Sequence, residues 1–269
     1  MAAAPAPPPR TPAAAVEWRA TTSDGVVILG SLVRSPDADV PVVLLVHRWA
    51  GSRDEWAPLV DLLARHTPAP HVATLDLRGH GASTTRAAGK TIGWAGMKKA
   101  EFAATPFDLD AAIAEIDRSL GAPAPAFVLT GSDLGAAVSV LAAAHQPRVV
   151  ALALVSPGAA LQGLDLYMPA ARVRDRIGFL AGAETDNVAH DPVAALASMA
   201  KQAVVKQYPG GAHGAERLGA AAPALWQDLT DYLTGPVMHL RPAAPPAASA
   251  SAAASPSASA ARPPHAPKR

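Results

Sequence analysis

The sequence predicts an α/β protein with a mostly parallel central sheet and helices on both faces. Short apolar runs alternate with longer amphipathic stretches along most of the chain. Several runs are apolar throughout, as expected for parallel strands that are covered on both faces. Half of the 269 residues are hydrophobic and 17% are charged, which is enough apolar material for a sizeable core. This alternation of strands and helices is typical of a parallel sheet wrapped by helices.

The elements follow one another in a regular order. The predicted strands are Val26–Val33, Val42–Val46, Val72–Leu75, Ala126–Leu129, Val149–Val155, Ile177–Leu180 and Val204–Tyr208. The predicted helices are Glu55–Arg65, Leu109–Leu120, Leu134–His145, Pro192–Lys201 and Pro223–Leu233. The segment between Val155 and Ile177 is too short for a full helical cap, so we predict no separate cap domain.

Proline is concentrated at the two ends of the chain. Of 27 prolines, five lie in residues 1–12 and eight in residues 236–269, which are also rich in alanine and serine. Such segments bury too little apolar surface to fold. We therefore predict one folded domain at 13–235, flanked by a disordered N-terminus at 1–12 and a disordered basic tail at 236–269.

The charge balance and the absence of cysteine exclude several classes of protein. The formal net charge is +1, but the predicted domain holds 18 basic and 22 acidic residues, so we expect no nucleic-acid partner. With no cysteine, thiolate nucleophiles and Cys-ligated metals are excluded, and no cofactor or metal is predicted. No apolar run approaches the ~18 residues of a membrane span. The N-terminus lacks a secretory pattern, so a cytoplasmic location is the default expectation. The oligomeric state stays open.

The loops that follow the predicted strands are rich in chemistry-bearing residues. In open α/β sheets, ligands bind at the carboxyl ends of the strands. These loops are His47-Arg-Trp-Ala-Gly-Ser, Asp76-Leu-Arg-Gly-His-Gly, Gly131-Ser-Asp-Leu-Gly, Ser156-Pro-Gly, Ala183-Glu-Thr-Asp and Pro209-Gly-Gly-Ala-His-Gly. The sequence therefore predicts a site at this edge of the sheet.

Five motifs in these loops, in order and at the right spacing, resemble the α/β-hydrolase superfamily. They are V-V-L-L-V-H, D-L-R-G-H-G-A-S, G-S-D-L-G-A-A, A-G-A-E-T-D and P-G-G-A-H-G, within about residues 15–235. The chain is most similar to small lid-free members, such as dienelactone-hydrolase-like and serine-aminopeptidase-like proteins. The resemblance implies a hydrolase that acts on a small-molecule substrate.

The resemblance also implies a catalytic set, with one departure from the family pattern. The nucleophile elbow G-x-S-x-G reads Gly131-Ser-Asp-Leu-Gly135, so Asp133 stands where the family has serine. Ser132 is one residue early and is expected to point away from the site, which leaves it the weaker alternative nucleophile. Family order then assigns Asp186 as the acid and His213 as the general base.

The oxyanion region departs from the family as well. The family usually has His-Gly after the third strand, whereas His47 is followed by Arg48 and Trp49. The N–H of Leu134, at a helix start, is expected to face the site. A second N–H is expected from either Arg48 or Trp49. In the neighbouring loop Asp76–Ser83, we expect Arg78 to pair with a carboxylate or backbone carbonyls and His80 to be structural.

An aspartate at the elbow restricts the chemistry. Haloalkane dehalogenases and epoxide hydrolases carry Asp there, where it displaces a leaving group from sp³ carbon and forms an alkyl ester that His-activated water hydrolyses. Attack on an ordinary carboxylic ester would instead form an anhydride, an uphill product. Neither subfamily matches fully, because Leu134 replaces the halide-binding Trp and Tyr167 alone falls where cap tyrosines would be, although Trp49 offers an indole N–H.

Three hypotheses therefore stay open. The chain is a hydrolase in which Asp133 is a nucleophile or a replacement general base. Alternatively, it is a catalytically silent member of the fold that binds a ligand or partner after losing its nucleophilic serine. The third hypothesis is a tail-tethered interaction protein that uses the fold as a scaffold.

Overall fold

The computed structural model describes residues 13–158 and 161–243, except for the side chain of Leu161. The termini predicted to be disordered lie mostly outside these residues. Within the described residues, nine strands form one sheet in the order β1-β2-β4-β3-β6-β7-β8-β9, with β5 paired to β2. The strands are β1 Val16–Thr21, β2 Val26–Val33, β3 Val42–Val46, β4 His71–Asp76, β5 Thr85–Arg86, β6 Phe127–Ser132, β7 Val149–Val155, β8 Ile177–Ala183 and β9 Val204–Tyr208.

Most of the sheet is parallel. Every neighbouring pair from β4 to β9 runs parallel, whereas β2 pairs antiparallel with β1, β4 and β5 at one edge. The helices are α1 Ala57–Arg65, α2 Lys99–Ala103, α3 Pro106–Leu120, α4 Leu134–Ala143, α5 Tyr167–Arg172, α6 His190–Met199, α7 Ala215–Ala221 and α8 Ala224–Thr234. The predicted fold class is confirmed.

Two apolar layers cover the sheet, one on each face. Along β3, Val42, Leu44 and Val46 pack into the layer formed with α3 and α4, while Val43 and Leu45 pack into the layer formed with α1 and α8. All five side chains are fully buried. Burial on both faces explains why this strand is apolar at every position rather than alternating.

The structure adds elements that the sequence pattern did not predict. Strand β1 was missed because it lies at the sheet edge and buries only Trp18 and Ala20 among polar neighbours. The short helices α2, α5 and α7 were missed as well. The helix predicted from Glu55 is divided into a 3-10 helix at Arg53–Trp56 and α1.

The described part of the segment between β7 and β8 holds no separate cap domain. It contains a 3-10 turn at Leu161–Gly163 and the short helix α5. Among residues 13–158 and 161–243, no helix is long and apolar enough to cross a bilayer.

The folded region continues past residue 235, its predicted end. Pro236–His239 forms a 3-10 helix after α8. Val237 and Met238 are buried, and Val237 packs into the layer that holds α8. This part of the predicted tail therefore belongs to the core.

Candidate active site

Asp133 lies at a tight turn between β6 and α4. Its φ of 50° is a conformation that residues other than glycine rarely adopt. The two flanking glycines are needed because backbone comes very close. A Cβ on Gly131 would lie 2.3 Å from the Gly135 carbonyl oxygen, and one on Gly135 would lie 2.1 Å from the Val46 carbonyl oxygen. The turn therefore has the geometry of a nucleophile elbow, with a carboxylate at its apex.

The structure brings Asp133, His213 and Asp186 together. Nδ1 of His213 lies 2.8 Å from Oδ2 of Asp186, and Nε2 lies 3.2 Å from Oδ1 of Asp133. Both carboxylates are buried, whereas 24% of the His213 side chain is exposed. The imidazole thus bridges two carboxylates at the solvent edge of the site.

Asp186 is itself held by backbone. Its Oδ1 accepts hydrogen bonds from the N–H groups of Val188 at 3.0 Å and Ala189 at 3.2 Å. Because Oδ2 then faces Nδ1 of His213, the imidazole is fixed with Nε2 toward Asp133. This is the arrangement in which an acid orients a general base.

The pKa of His213 is shifted by opposing effects. Burial lowers it, but the negative charges of Asp133 and Asp186, together with the hydrogen bond to Asp186, outweigh burial, so the pKa is raised above its ordinary value. A histidine can serve as a general base only in its neutral form. We therefore expect activity to fall as the pH drops through a pKa higher than that of a free histidine.

Changing Asp186 to asparagine tests this electrostatic arrangement. Loss of the charge removes stabilisation of the imidazolium, so the pKa of His213 should fall and kcat should drop by about 10²–10⁴-fold. The pKa is measured by NMR titration of the His213 ring, and kcat with a substrate that the chain turns over. Asp191→Asn is the control, because that exposed carboxylate lies 3.0 Å from His190 instead. An unchanged His213 pKa in Asp186→Asn would contradict the arrangement.

The second oxygen of Asp133 is held by the loop after β3. Oδ2 accepts a hydrogen bond from the N–H of Trp49 at 3.1 Å. Leu134 is the first residue of α4, so its N–H has no acceptor within the helix. Among the described residues, Oδ1 makes no hydrogen bond of good geometry and has only His213 as a close charged neighbour.

Arg48 lies on the other side of this loop. Its N–H donates to Oε1 of Glu55 at 3.1 Å, and its guanidinium lies 3.2 Å from Glu216. Of the two alternatives from the sequence, it is the N–H of Trp49 that reaches Asp133.

Ser132 is fully buried beside the elbow. Its hydroxyl accepts a hydrogen bond from the N–H of Ala215 at 2.9 Å, at the start of α7. It thus joins β6 to the segment that carries His213.

An aromatic wall stands next to the elbow. The Trp49 ring packs edge-to-face against Trp94 and Phe102, with centroids 6.1 and 6.3 Å away. The indole N–H of Trp49 is buried without a partner among the described residues. Beside the wall, a cleft of about 410 Å³ is lined by Trp94, Glu55 and Glu216, among others. Trp94 and Phe102 were missed because they lie in a segment without strand or long-helix periodicity.

In the loop Asp76–Ser83, Arg78 pairs with carboxylates, as predicted. Arg78 is fully buried and donates to Asp108 through its N–H, Nε and Nη2, the last at 2.7 Å, and also to Asp24. His80 is buried with Nδ1 2.9 Å from the Arg78 carbonyl oxygen, and burial lowers its pKa. Asp108 was missed because it stands one residue before the predicted helix.

Within the part of the chain that the structure describes, no group of three or more His, Asp or Glu side chains is arranged to hold a metal ion.

Comparison with known proteins identifies the family to which this chain is related. The sequence pattern of the alpha/beta hydrolase fold family matches residues 41–215. No curated protein sequence matches the chain. Three similar solved structures are at most 16% identical to it and therefore establish the fold alone.

The three structures share most of their length with this chain. The Pyrococcus furiosus esterase Pf2001 is 16% identical, with 84% of this chain and 91% of that chain covered and a TM-score of 0.64. The enol-lactonase from Burkholderia xenovorans is 14% identical, with 81% and 100% covered and a TM-score of 0.63. A haloalkane dehalogenase variant from Bradyrhizobium elkanii is 16% identical, with 82% and 97% covered and a TM-score of 0.60.

A parallel sheet with an elbow between β6 and α4 and a His–Asp pair in later loops defines a protein of the α/β-hydrolase class. The chain belongs to the alpha/beta hydrolase fold family.

Proposed function

We propose that the chain is a hydrolase of a small organic substrate that carries a leaving group on sp³ carbon, with Asp133 as nucleophile, His213 as general base and Asp186 as its orienting acid. The observation that carries the proposal is that the two oxygens of the Asp133 carboxylate have different surroundings. Oδ2 accepts from the N–H of Trp49, while Oδ1 faces His213 without another hydrogen-bond partner among the described residues. One oxygen is thus held and the other is free to attack.

The reaction proceeds through an ester of the protein. Oδ1 attacks the sp³ carbon, the bond to the leaving group breaks, and the leaving group departs with the electron pair. His213 then removes a proton from water through Nε2, and the resulting hydroxide attacks the Asp133 carbonyl carbon. Negative charge develops on Oδ2, where the N–H groups of Trp49 and Leu134 stabilise it. The intermediate collapses to the carboxylic acid of Asp133 as the alcohol product takes the proton from His213. Loss of the remaining proton to water then restores the Asp133 carboxylate.

The neighbours in structure are consistent with more than one substrate class. Esterase and lactonase neighbours act through the same fold, but carboxylic esters would force Asp133 into an anhydride. The dehalogenase neighbour therefore supports alkyl halides first and epoxides second. The buried indole N–H of Trp49 is the donor we assign to the leaving group, and the small size of the β7–β8 segment fits a lid-free member of the family.

The test is to trap the ester. In His213→Gln, alkylation still occurs but the base for hydrolysis is gone, so the intermediate should accumulate. After exposure to a panel of alkyl halides, epoxides, lactones and activated esters, mass spectrometry of the peptide that contains Asp133 should show the added alkyl group. Asp133→Asn in the same background should show none.

Two other results would contradict the proposal. If the unaltered chain turns over a compound but His213→Gln forms no adduct with it, Asp133 would act as a general base rather than as a nucleophile. Binding of panel compounds without turnover or adduct would favour a catalytically silent ligand-binding protein.

A further inference from the structure

One buried carboxyl, that of Glu55, lies where three site-bearing segments meet. Glu55 belongs to the 3-10 helix before α1 and is only 6% exposed. A carboxyl group buried to this extent is costly to desolvate unless its oxygens are engaged. Its surroundings therefore indicate what it holds.

The first segment is the loop after β3. Oε1 of Glu55 accepts from the N–H of Arg48 at 3.1 Å, and Oε2 lies 3.6 Å from Nε of the same residue. The next N–H along the chain, that of Trp49, is the one that donates to Asp133. Successive peptide planes are linked through one α-carbon, so fixing the Arg48 N–H restricts where the Trp49 N–H can aim.

The second and third segments are the elbow and the His213 loop. Ser132, beside the elbow, lowers the pKa of the Glu55 carboxyl and so opposes the effect of burial. The Ser132 hydroxyl accepts from the N–H of Ala215, two residues after His213. Ser132 thus connects the end of β6 to the segment that carries His213.

Little room is left for the loop to move. A Cβ on Gly51 would lie 3.0 Å from Cγ of Arg48 and 3.3 Å from Oε2 of Glu55. On the opposite side, a Cβ on Gly214 would lie 2.9 Å from Cδ of Arg48. The Arg48 stem is thus enclosed between the two glycines.

We propose that Glu55 is a positioning residue, whose carboxyl holds the Arg48 N–H and thereby keeps the Trp49 N–H directed at Oδ2 of Asp133. The inference rests on the proposed function, because that donor stabilises the oxyanion formed during ester hydrolysis.

The charges around Glu55 make the arrangement sensitive to pH. Burial raises the pKa of Glu55 to about 8, with Arg48 and Ser132 opposing the rise and Glu216 of α7 adding to it. On its own helix, Arg53 instead faces Asp76 of β4 and Glu17 of β1. Glu55 is therefore mainly protonated at neutral pH and ionises in mildly alkaline solution.

The experiment follows the Trp49 amide directly, in protein labelled with [¹⁵N]tryptophan and with the resonance assigned through Trp49→Phe. In the unaltered chain, the amide shift should titrate with a midpoint near pH 8. Glu55→Gln, which keeps an acceptor oxygen but cannot ionise, should abolish this titration, while Glu55→Leu should shift the amide at every pH. Asp54→Asn is the control, because the carboxylate of this exposed neighbour contacts the Ser52 hydroxyl rather than Arg48 in the described part of the chain, so the titration should persist.

Kinetics on the substrate found in the trapping experiment provide the second readout. Glu55→Leu should lower kcat by at least about tenfold with KM changed less than about threefold, and Glu55→Gln should restore kcat at neutral pH. Because the amide readout needs no turnover, it tests the positioning even if the proposed chemistry fails. The inference would be overturned if the Trp49 amide shift changed neither with pH nor in Glu55→Gln. It would also be overturned if folded Glu55→Leu kept an undiminished kcat.

Discussion

Replacing Asp108 with alanine is expected to lower the free energy of unfolding by about 3–5 kcal/mol, since it leaves a buried charge without its main partner. Arg78 and Asp108 are both fully buried. Three donors of Arg78 converge on the Asp108 carboxylate, at 2.7–3.0 Å. Asp24 cannot replace this partner, because it is part exposed and already bonded to the other side of the guanidinium.

Urea unfolding followed by circular dichroism measures the effect. Asp61→Ala is the matched control: that carboxylate is 67% exposed in an i,i+4 pair with Arg65, and its loss should change stability by only about 0.3–0.5 kcal/mol. A loss below about 1 kcal/mol in Asp108→Ala would show that Arg78 finds solvent or another partner.

Replacing Asp133 with serine should lower turnover of the native substrate by at least about 10³-fold, because the carboxylate that we propose as the nucleophile is gone. The same change places a hydroxyl within reach of His213, whose Nε2 lies 3.2 Å from Oδ1 in the unaltered chain. With Asp186 still in place and Oδ2 no longer occupying the Trp49 N–H, the variant should gain measurable hydrolysis of activated esters.

Rates on alkyl halides or epoxides and on nitrophenyl esters, measured side by side, distinguish the outcomes. Asp110→Asn, a partly exposed carboxylate that pairs with His145 on the outer surface, should alter neither rate. Undiminished native turnover in Asp133→Ser would refute a nucleophilic role for the carboxylate.

The sequence predicts the sheet well because buried parallel strands appear as short, continuous apolar runs. Strand β3 is apolar at each position, and its predicted bounds are those of the structure. The proximity of the candidate site residues could be predicted for a related reason. The carboxyl ends of parallel strands lie at one edge of the sheet, so loop residues far apart in sequence, such as Asp133 and His213, lie close together.

What the sequence could not predict depends on long-range polar contacts. Neither the apolar periodicity nor the loop motifs mark Glu55, whose role follows from its burial against Arg48. Likewise, the Arg78–Asp108 pair joins residues 30 positions apart. The edge strand β1 was missed because half-exposed strands lack a continuous apolar run.

The hydrogen bond from Trp49 to Oδ2 also bears on how such a protein is detected. Fluorophosphonate reagents, widely used to label serine hydrolases in mixtures, need an activated hydroxyl and a vacant donor for the phosphoryl oxygen. Here the elbow presents a carboxylate, and one of its oxygens already occupies the backbone donor. We therefore expect those reagents not to label this chain. Electrophiles that alkylate carboxylates are instead the reagents expected to label Asp133.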